Sequence, residues 1–353
     1  MKKYFIFFAL SLLFIFRFLT TRPIYKNGQK LKISAKVLQE PIRYSNYQSL
    51  SLAGFKISLP LFPEIHYGDN VVIEGFVNNK QLLKTVLLEV KETTGIFYQL
   101  RKRIIDFFQK SLPEPHSSLM AGIVLGSKSN LPEDFWEALK KTGTAHVVVA
   151  SGMNVSMVAG FLISILVLFF KRRQAIIFAL IGIWLYVAIS GFEAPIIRAA
   201  IMGSLTFTAQ KVGRLSESWR ILFVSAFIML IARPDWIGDL GFLLSFVATA
   251  SIMLFQNKIG RFLKVVPQAL RESFSTSLAA QIGVTPILFV TFGQFNILSS
   301  FINLLVLWTV APIMIIGAVS GLIGLIFLPL GKLVLFLSFP LTTWFIKIVK
   351  LFG

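Results

Sequence analysis

The sequence predicts a mainly α-helical, polytopic membrane bundle with broken helices, joined to a small exported β-barrel of OB-like type. Three observations predict this. Hydrophobic residues make up 55% of the 353 residues and charged residues only 14%, against roughly 25% charge in a soluble globular chain. Long apolar runs, broken by short polar or Gly/Pro-containing joints, occupy residues 146–353. Residues 22–94 instead alternate apolar and polar side chains, as half-buried strands do. The 35 Phe also exclude a disordered chain. With no Cys, disulfides, Cys-based zinc sites, Fe–S clusters and thiol nucleophiles are excluded. His66, His116 and His146 are the only histidines, which nearly excludes a multi-histidine metal centre, so no cofactor is expected.

Residues 1–21 hold an apolar run from Tyr4 to Leu19, interrupted by Arg17 and preceded by Lys2 and Lys3. A cleaved signal peptide is one reading. Thr20-Thr21-Arg22-Pro23 is a poor cleavage site, however, which favours a retained transmembrane helix with Arg17 reaching toward the far interface. In residues 22–94, Leu31, Ile33, Ala35 and Val37 alternate with Lys30, Lys32, Ser34 and Lys36. Phe55, Ile57 and Leu59 form a second such face, and Val86, Leu88 and Val90 a third. Gly68-Asp69-Asn70 is a turn signal before a strand from Val71 to Val77. Four or five short strands suit an OB-like barrel. Such folds often bind single strands through basic and aromatic side chains; a structural module with a solvated lysine face is the alternative.

Residues 95–145 read as amphipathic interfacial helices. Phe97, Leu100, Ile104, Phe107, Phe108 and Leu112 recur at helical spacing, with Arg101, Lys102 and Arg103 mainly on other faces, where lipid headgroups would meet them. A second helix starts near Asn130 with Pro132 as its first residue and ends at Gly143. Topology follows from basic loops. Lys2/Lys3, Lys171/Arg172/Arg173, Lys211/Arg214/Arg220 and Lys258/Arg261/Lys264/Arg271 fall on one side, the cytoplasm, which puts residues 22–145 on the outer face. Beyond Phe295 the bias fades: 296–311 and 313–329 are two short spans or one long broken one, and Lys347 and Lys350 favour a cytoplasmic C-terminus.

Polar groups at membrane depth cost about 2.5–3.5 kcal/mol each on the insertion scale, so each needs a reason. His146, Ser151, Gly152 and Asn154 interrupt an apolar span where a helix is broken to line a cavity. Glu193, Pro195 and Arg198 open a new helix, with Arg198 about one turn inside it. Asp239 and Ser245 share a helix face, and Gln281 and Asn303 follow. Pairing within the bundle explains Ser156, Gln281 and Asn303 adequately, but not Arg198, whose charge is permanent.

These residues resemble the ComEC-type competence proteins, the inner-membrane DNA-uptake channels of transformable bacteria. That family's His-Leu-Leu-Ala-Ile-Ser-Gly-Leu-His hallmark corresponds to His146 through Asn154. Its Gly-x-x-x-Pro-x-x-Arg-Ala and Asp-x-Gly-Phe-x-Leu-Ser motifs correspond to Gly191/Pro195/Arg198/Ala199 and Asp239/Gly241/Phe242/Leu244/Ser245. Asn154 stands where the hallmark has its second His, which leaves a hydrogen-bonding role but not a proton-transfer one. Many relatives continue into an exported metallo-β-lactamase-like nuclease domain; this sequence has no His-x-His-x-Asp-His cluster, so the resemblance is to the form without that domain.

The resemblance implies a multi-pass plasma-membrane channel that passes single-stranded DNA inward, with His146, Ser151, Gly152, Asn154, Glu193, Pro195, Arg198, Asp239, Ser245 and Gln281 along its path. It implies no catalysis. Its expected partners are single-stranded DNA, membrane lipids, a separate nuclease and cytoplasmic translocation machinery; the oligomeric state is not legible. Two other classes compete. A small-solute transporter would commonly show internal repeats, and none is evident. An intramembrane serine hydrolase would need Ser151 and His146 together, yet five residues of helix turn them roughly 140° apart.

Overall fold

A computed structural model describes residues 25–38, 40–43, 46–79, 81–128, 131–149, 151–211, 217–263, 267–292 and 298–353. The expected N-terminal helix over 1–21 lies outside the described residues.

Among the described residues six strands come first: β1 (Lys30–Lys36), β2 (Ile42–Arg43), β3 (Tyr47–Leu52), β4 (Phe55–Pro60), β5 (Asn70–Asn78) and β6 (Gln81–Lys91). They form one sheet in the order β1-β5-β6-β4-β3-β2. All neighbours are antiparallel except β4 and β6, which run parallel. Alternation sets the register: Ile33 lies opposite Ile73 on β5, and Val37, Ile57, Leu59, Val71 and Ile73 fill the core beneath the sheet.

The expected closed OB-like barrel is corrected to an open sheet. Its end strands, β1 and β2, are not paired with each other among the described residues, and β2 has only two residues with which to close. β3 was not expected, because its first inward position is polar. Gln48 is fully buried there; its amide donates to the carbonyls of Pro60 and Pro63, both at 2.8 Å, and its Oε1 accepts the Ile65 N–H at 3.2 Å. Those bonds offset the desolvation that would otherwise keep an amide out of a core.

The helices are α1 (Ile96–Ser111), α2 (His116–Leu125), α3 (Glu133–Thr142), α4 (Ala145–Val148), α5 (Gly152–Phe169), α6 (Arg172–Ser190) and α7 (Ala194–Lys211). After them come α8 (Ser218–Ala232), a 3-10 turn (Pro234–Gly238), α9 (Leu240–Phe262), α10 (Gln268–Phe292), α11 (Ser299–Ile326), α12 (Leu328–Phe336) and α13 (Phe339–Phe352). The chain is mainly helical. Among the described residues, five helical stretches are long and apolar enough to cross a membrane: α5, α6, α9, Arg271–Thr291 within α10, and α11. α12 and α13 together make a sixth candidate, bent by 49°. This length and apolarity mark a membrane protein.

Two expectations change here. The region over 95–145 is not wholly interfacial. α1 and α3 are amphipathic, but α2 is apolar and buried from Ser117 to Leu125, and it packs on α11 and α1 in the core of the bundle. Its uniform apolarity gives no 3.6-residue period to read, as expected of a helix buried on all sides. Where two short spans or one broken one were expected, Ser299–Ile326 is one unbroken 28-residue helix, α11, with Pro312 inside it. α3 begins at Glu133, with Pro132 just before it, and Gly143 ends it in the left-handed conformation at φ 72°.

Candidate functional site

The bundle is interrupted at two places that face each other. Between α4 and α5 the chain is extended at Val149 and Ser151, so the hallmark lies on a broken span. Between α6 and α7 the break covers residues 191–193, and Pro195 occupies the first turn of α7, where a missing N–H costs nothing. The two breaks meet through Arg198, one turn into α7. A Cβ on Gly152 would stand 2.7 Å from Arg198 Nη2, so the guanidinium lies closely against the start of α5. Arg198 Nε donates to Ser245 Oγ on α9 at 2.6 Å, Nη1 meets the Met202 sulfur at 3.3 Å, and the Phe246 ring lies 5.8 Å away. Among the described residues no carboxylate pairs with Arg198. A half-buried guanidinium beside a helix N-terminus, bonded only to a hydroxyl and a thioether, is disposed to bind an anion.

The structure distributes the other expected site residues as follows. Asn154 is fully buried; its Nδ2 donates to the Ile123 carbonyl at 2.9 Å and its Oδ1 accepts the Ser151 hydroxyl at 3.1 Å. It therefore ties α5 to α2, and Tyr186 adds a bond from its hydroxyl to the Val124 carbonyl at 3.2 Å. His146 points elsewhere, with Nδ1 2.8 Å from the Gly143 carbonyl oxygen, so Ser151 and His146 are not joined as a nucleophile and its base. Asp239 caps α9, its Oδ1 accepting the Phe242 N–H at 2.8 Å, and Pro195 packs close to Gly241 beside it. Glu193 is paired with Lys128 at 3.2 Å. Gln281 sits on the α10–α11 seam, where the Ser300 hydroxyl donates to it, apart from the Arg198 group. Among the described residues no group of three or more His, Asp or Glu is placed to hold a metal ion.

Sequence reasoning missed the group that holds this region together. Arg101, expected among headgroups, is only 4% exposed. Its Nη1 donates to the carbonyls of Leu125, Ile189 and Ser190 at 2.6, 3.1 and 2.9 Å, which end α2 and α6, and its Nη2 pairs with Glu40 at 3.3 Å. Glu40 also accepts the Ser127 hydroxyl at 2.8 Å and the Lys128 N–H at 2.7 Å. The Tyr67 ring lies 5.3 Å from the guanidinium, and burial, with Tyr98 beside it, pushes the Tyr67 hydroxyl pKa up, so Tyr67 stays a neutral phenol against the cation. The sheet is thereby tied to the mouth of the α6–α7 break. A readable signal existed: Arg101 lies on the stripe of Ile104, Ile105 and Phe108, all buried.

Comparison with known proteins bears on the same residues. The family profile described as "Competence protein" matches residues 123–353. The chain is 28% identical over 225 residues to ComE operon protein 3 of Bacillus subtilis (strain 168), a match covering 64% of this chain and 28% of that protein. It is 26% identical over 215 residues to Competence protein ComA of Neisseria gonorrhoeae, covering 57% of this chain and 30% of that one. An uncharacterized protein of Aquifex aeolicus (strain VF5) is 28% identical over 243 residues, with 63% of this chain and 57% of that protein covered. The chain thus spans less than two thirds of the length of each of these relatives. No solved structure matches it. The profile runs from the end of α2 through both breaks and the Arg198 group to the last residue, and covers more than half of the chain, which therefore belongs to the competence protein family, of the ComEC type.

Proposed function

We propose that the chain is a plasma-membrane channel that passes single-stranded DNA into the cytoplasm during DNA uptake. The observation that carries this reading is Arg198, a cation without a carboxylate partner among the described residues, held between two helix breaks by Ser245 and the space above Gly152. A polyphosphate strand needs cationic guidance at a polar, water-accessible break in the bundle. Arg198, Ser245, Gly152 and Ser151 form the contact path, and Asn154, Asp239 and Pro195 shape it. The family and the printed names of two relatives support a role in competence.

The reading divides the chain into an N-terminal anchor over 1–21, an exported β module over 22–94, interfacial helices in 95–145 and a membrane domain over 146–353. The alternating basic loops support placing residues 22–145 on the outer face. The protein catalyses nothing and needs no cofactor; a separate nuclease supplies the single strand, and cytoplasmic machinery draws it in. The test is uptake of labelled DNA by cells with and without the gene. Loss of internalised, nuclease-protected DNA on deletion, restored by complementation, is expected. Unchanged uptake would refute the reading.

A further inference from the structure

Buried polar side-chain atoms are nearly always hydrogen-bonded in a folded protein, so each exception calls for a partner. Among the described residues, three exceptions belong to residues gathered where the sheet meets the α6–α7 break: Tyr67 Oη, Arg101 Nε and Ser190 Oγ. All three can donate a hydrogen. Arg101 links the other two, since its Nη1 donates to the Ser190 carbonyl at 2.9 Å and its guanidinium lies 5.3 Å from the Tyr67 ring.

Tyr67 is the one that the sheet supplies. It stands in the turn before β5 and is only 8% exposed. A Cβ on Gly191, where the chain turns at φ 99°, would stand 3.5 Å from Tyr67 Oη, so the hydroxyl lies against the break that precedes α7. The Phe192 backbone and the Tyr98 side chain act on it, yet neither forms an aligned hydrogen bond with it. Burial keeps the phenol protonated, which makes it a donor that lacks an acceptor. The nearby carbonyls of Leu125, Ile189 and Ser190 already accept Arg101 Nη1. Tyr67 also lines a cleft of about 300 Å³ between its own turn and α1, so it is shared between that cleft and the break. A phosphate oxygen suits such a donor better than a neutral acceptor does, because hydrogen bonds to ionised acceptors are the stronger ones.

We propose that Tyr67 is a further strand-contacting residue of the channel: when a strand occupies the α6–α7 break, the Tyr67 hydroxyl donates to a phosphate oxygen, and the sheet thereby supplies part of the mouth. This rests on the reading of the break as the path of the strand.

The test is Tyr67→Phe, which removes the hydroxyl and keeps the ring. Uptake of labelled DNA, expressed per molecule of protein in the membrane, is expected to fall about tenfold, the size of one hydrogen bond to a charged acceptor. The melting temperature in detergent should stay the same or rise, because the hydroxyl removed is buried without a partner. Tyr47→Phe, which removes a hydroxyl from a 41% exposed tyrosine on β3, should leave both quantities unchanged. Three outcomes overturn the proposal. Normal uptake in Tyr67→Phe would leave the hydroxyl to an ordered water. A lower melting temperature or poor accumulation of Tyr67→Phe would make the hydroxyl a structural group. An equal loss of uptake in Tyr47→Phe would make the effect one of the whole sheet and not of the break. Arg198→Ala in the same assay separates this inference from the reading beneath it. Normal uptake there sinks the reading of the break as the path, whereas impaired uptake there with normal uptake in Tyr67→Phe sinks the Tyr67 inference alone.

Discussion

Arg198→Ala is expected to abolish DNA uptake while leaving the amount of protein in the membrane unchanged or higher. Removing one partner of a desolvated charge pair costs roughly 2–5 kcal/mol, which for contact with the strand is a loss of about thirtyfold or more. Abundance should not suffer, because Arg198 has no carboxylate to leave behind among the described residues; its loss orphans only the Ser245 hydroxyl and a thioether contact. An ionised group at membrane depth also destabilises the fold by about 2.5–3.5 kcal/mol, and Ala removes that burden. Arg198→Lys keeps the charge but not the planar fork that reaches Ser245 and the Gly152 recess together, so an intermediate defect is expected. Uptake of labelled DNA beside an immunoblot of membrane fractions reads both quantities. A parallel fall in abundance and uptake would make Arg198 a packing residue.

Arg101→Leu is expected to act the other way, through stability. Its guanidinium satisfies three carbonyls at the ends of α2 and α6 and neutralises Glu40, whose side chain is 9% exposed. Breaking such a pair by removing one member costs about 3–5 kcal/mol, because a charge is left buried and unpaired. The protein should therefore melt at a markedly lower temperature in detergent, or fail to accumulate. Glu40→Gln placed on top of Arg101→Leu should recover part of the loss, since the residual carboxylate is then gone. Equal melting temperatures for wild type and Arg101→Leu would contradict the assignment of Arg101 as the tie between sheet and bundle.

How far the sequence could be read depended on whether a feature is local. β1, β4 and β5 were legible because Ile33, Ile57 and Ile73 lie in period-two faces, and α5, α6 and α9 because their apolar runs reach membrane length. β3 was hidden by Gln48, an inward amide whose partners come from the far side of the next loop. α2 was hidden because it is too short to span and apolar on every face. Pro312 suggested a break in α11, yet a membrane helix tolerates an interior proline when neighbouring helices cover the freed backbone. The open edge of the sheet could not be foreseen, since strand closure is a long-range pairing that no local period encodes.

In the site, Arg198 stood out as an ionised residue in an apolar run, but its partner Ser245 lies 47 residues away and only folding joins them. The small residue Gly152 gave no hint that a guanidinium packs against it. Arg101 was misread because its neighbours Lys102 and Arg103 made it look like part of a solvated basic cluster, although its helical position matched the buried stripe.

The central claim, that the strand passes Arg198 and Ser245, is tested most directly by cross-linking in transit. The sequence has no cysteine, so Ser245→Cys introduces a single thiol at the position whose hydroxyl now accepts the Arg198 Nε–H at 2.6 Å. Cells carrying this variant are given DNA bearing a thiol-reactive group on one strand, and the protein is recovered and probed for attached DNA. A covalent adduct at Cys in position 245, formed in the Arg198 background and lost with Arg198→Ala, is the expected result. Internalised DNA in those cells with no adduct at that position, while a Cys placed at exposed Lys56 on the sheet is labelled, would contradict it.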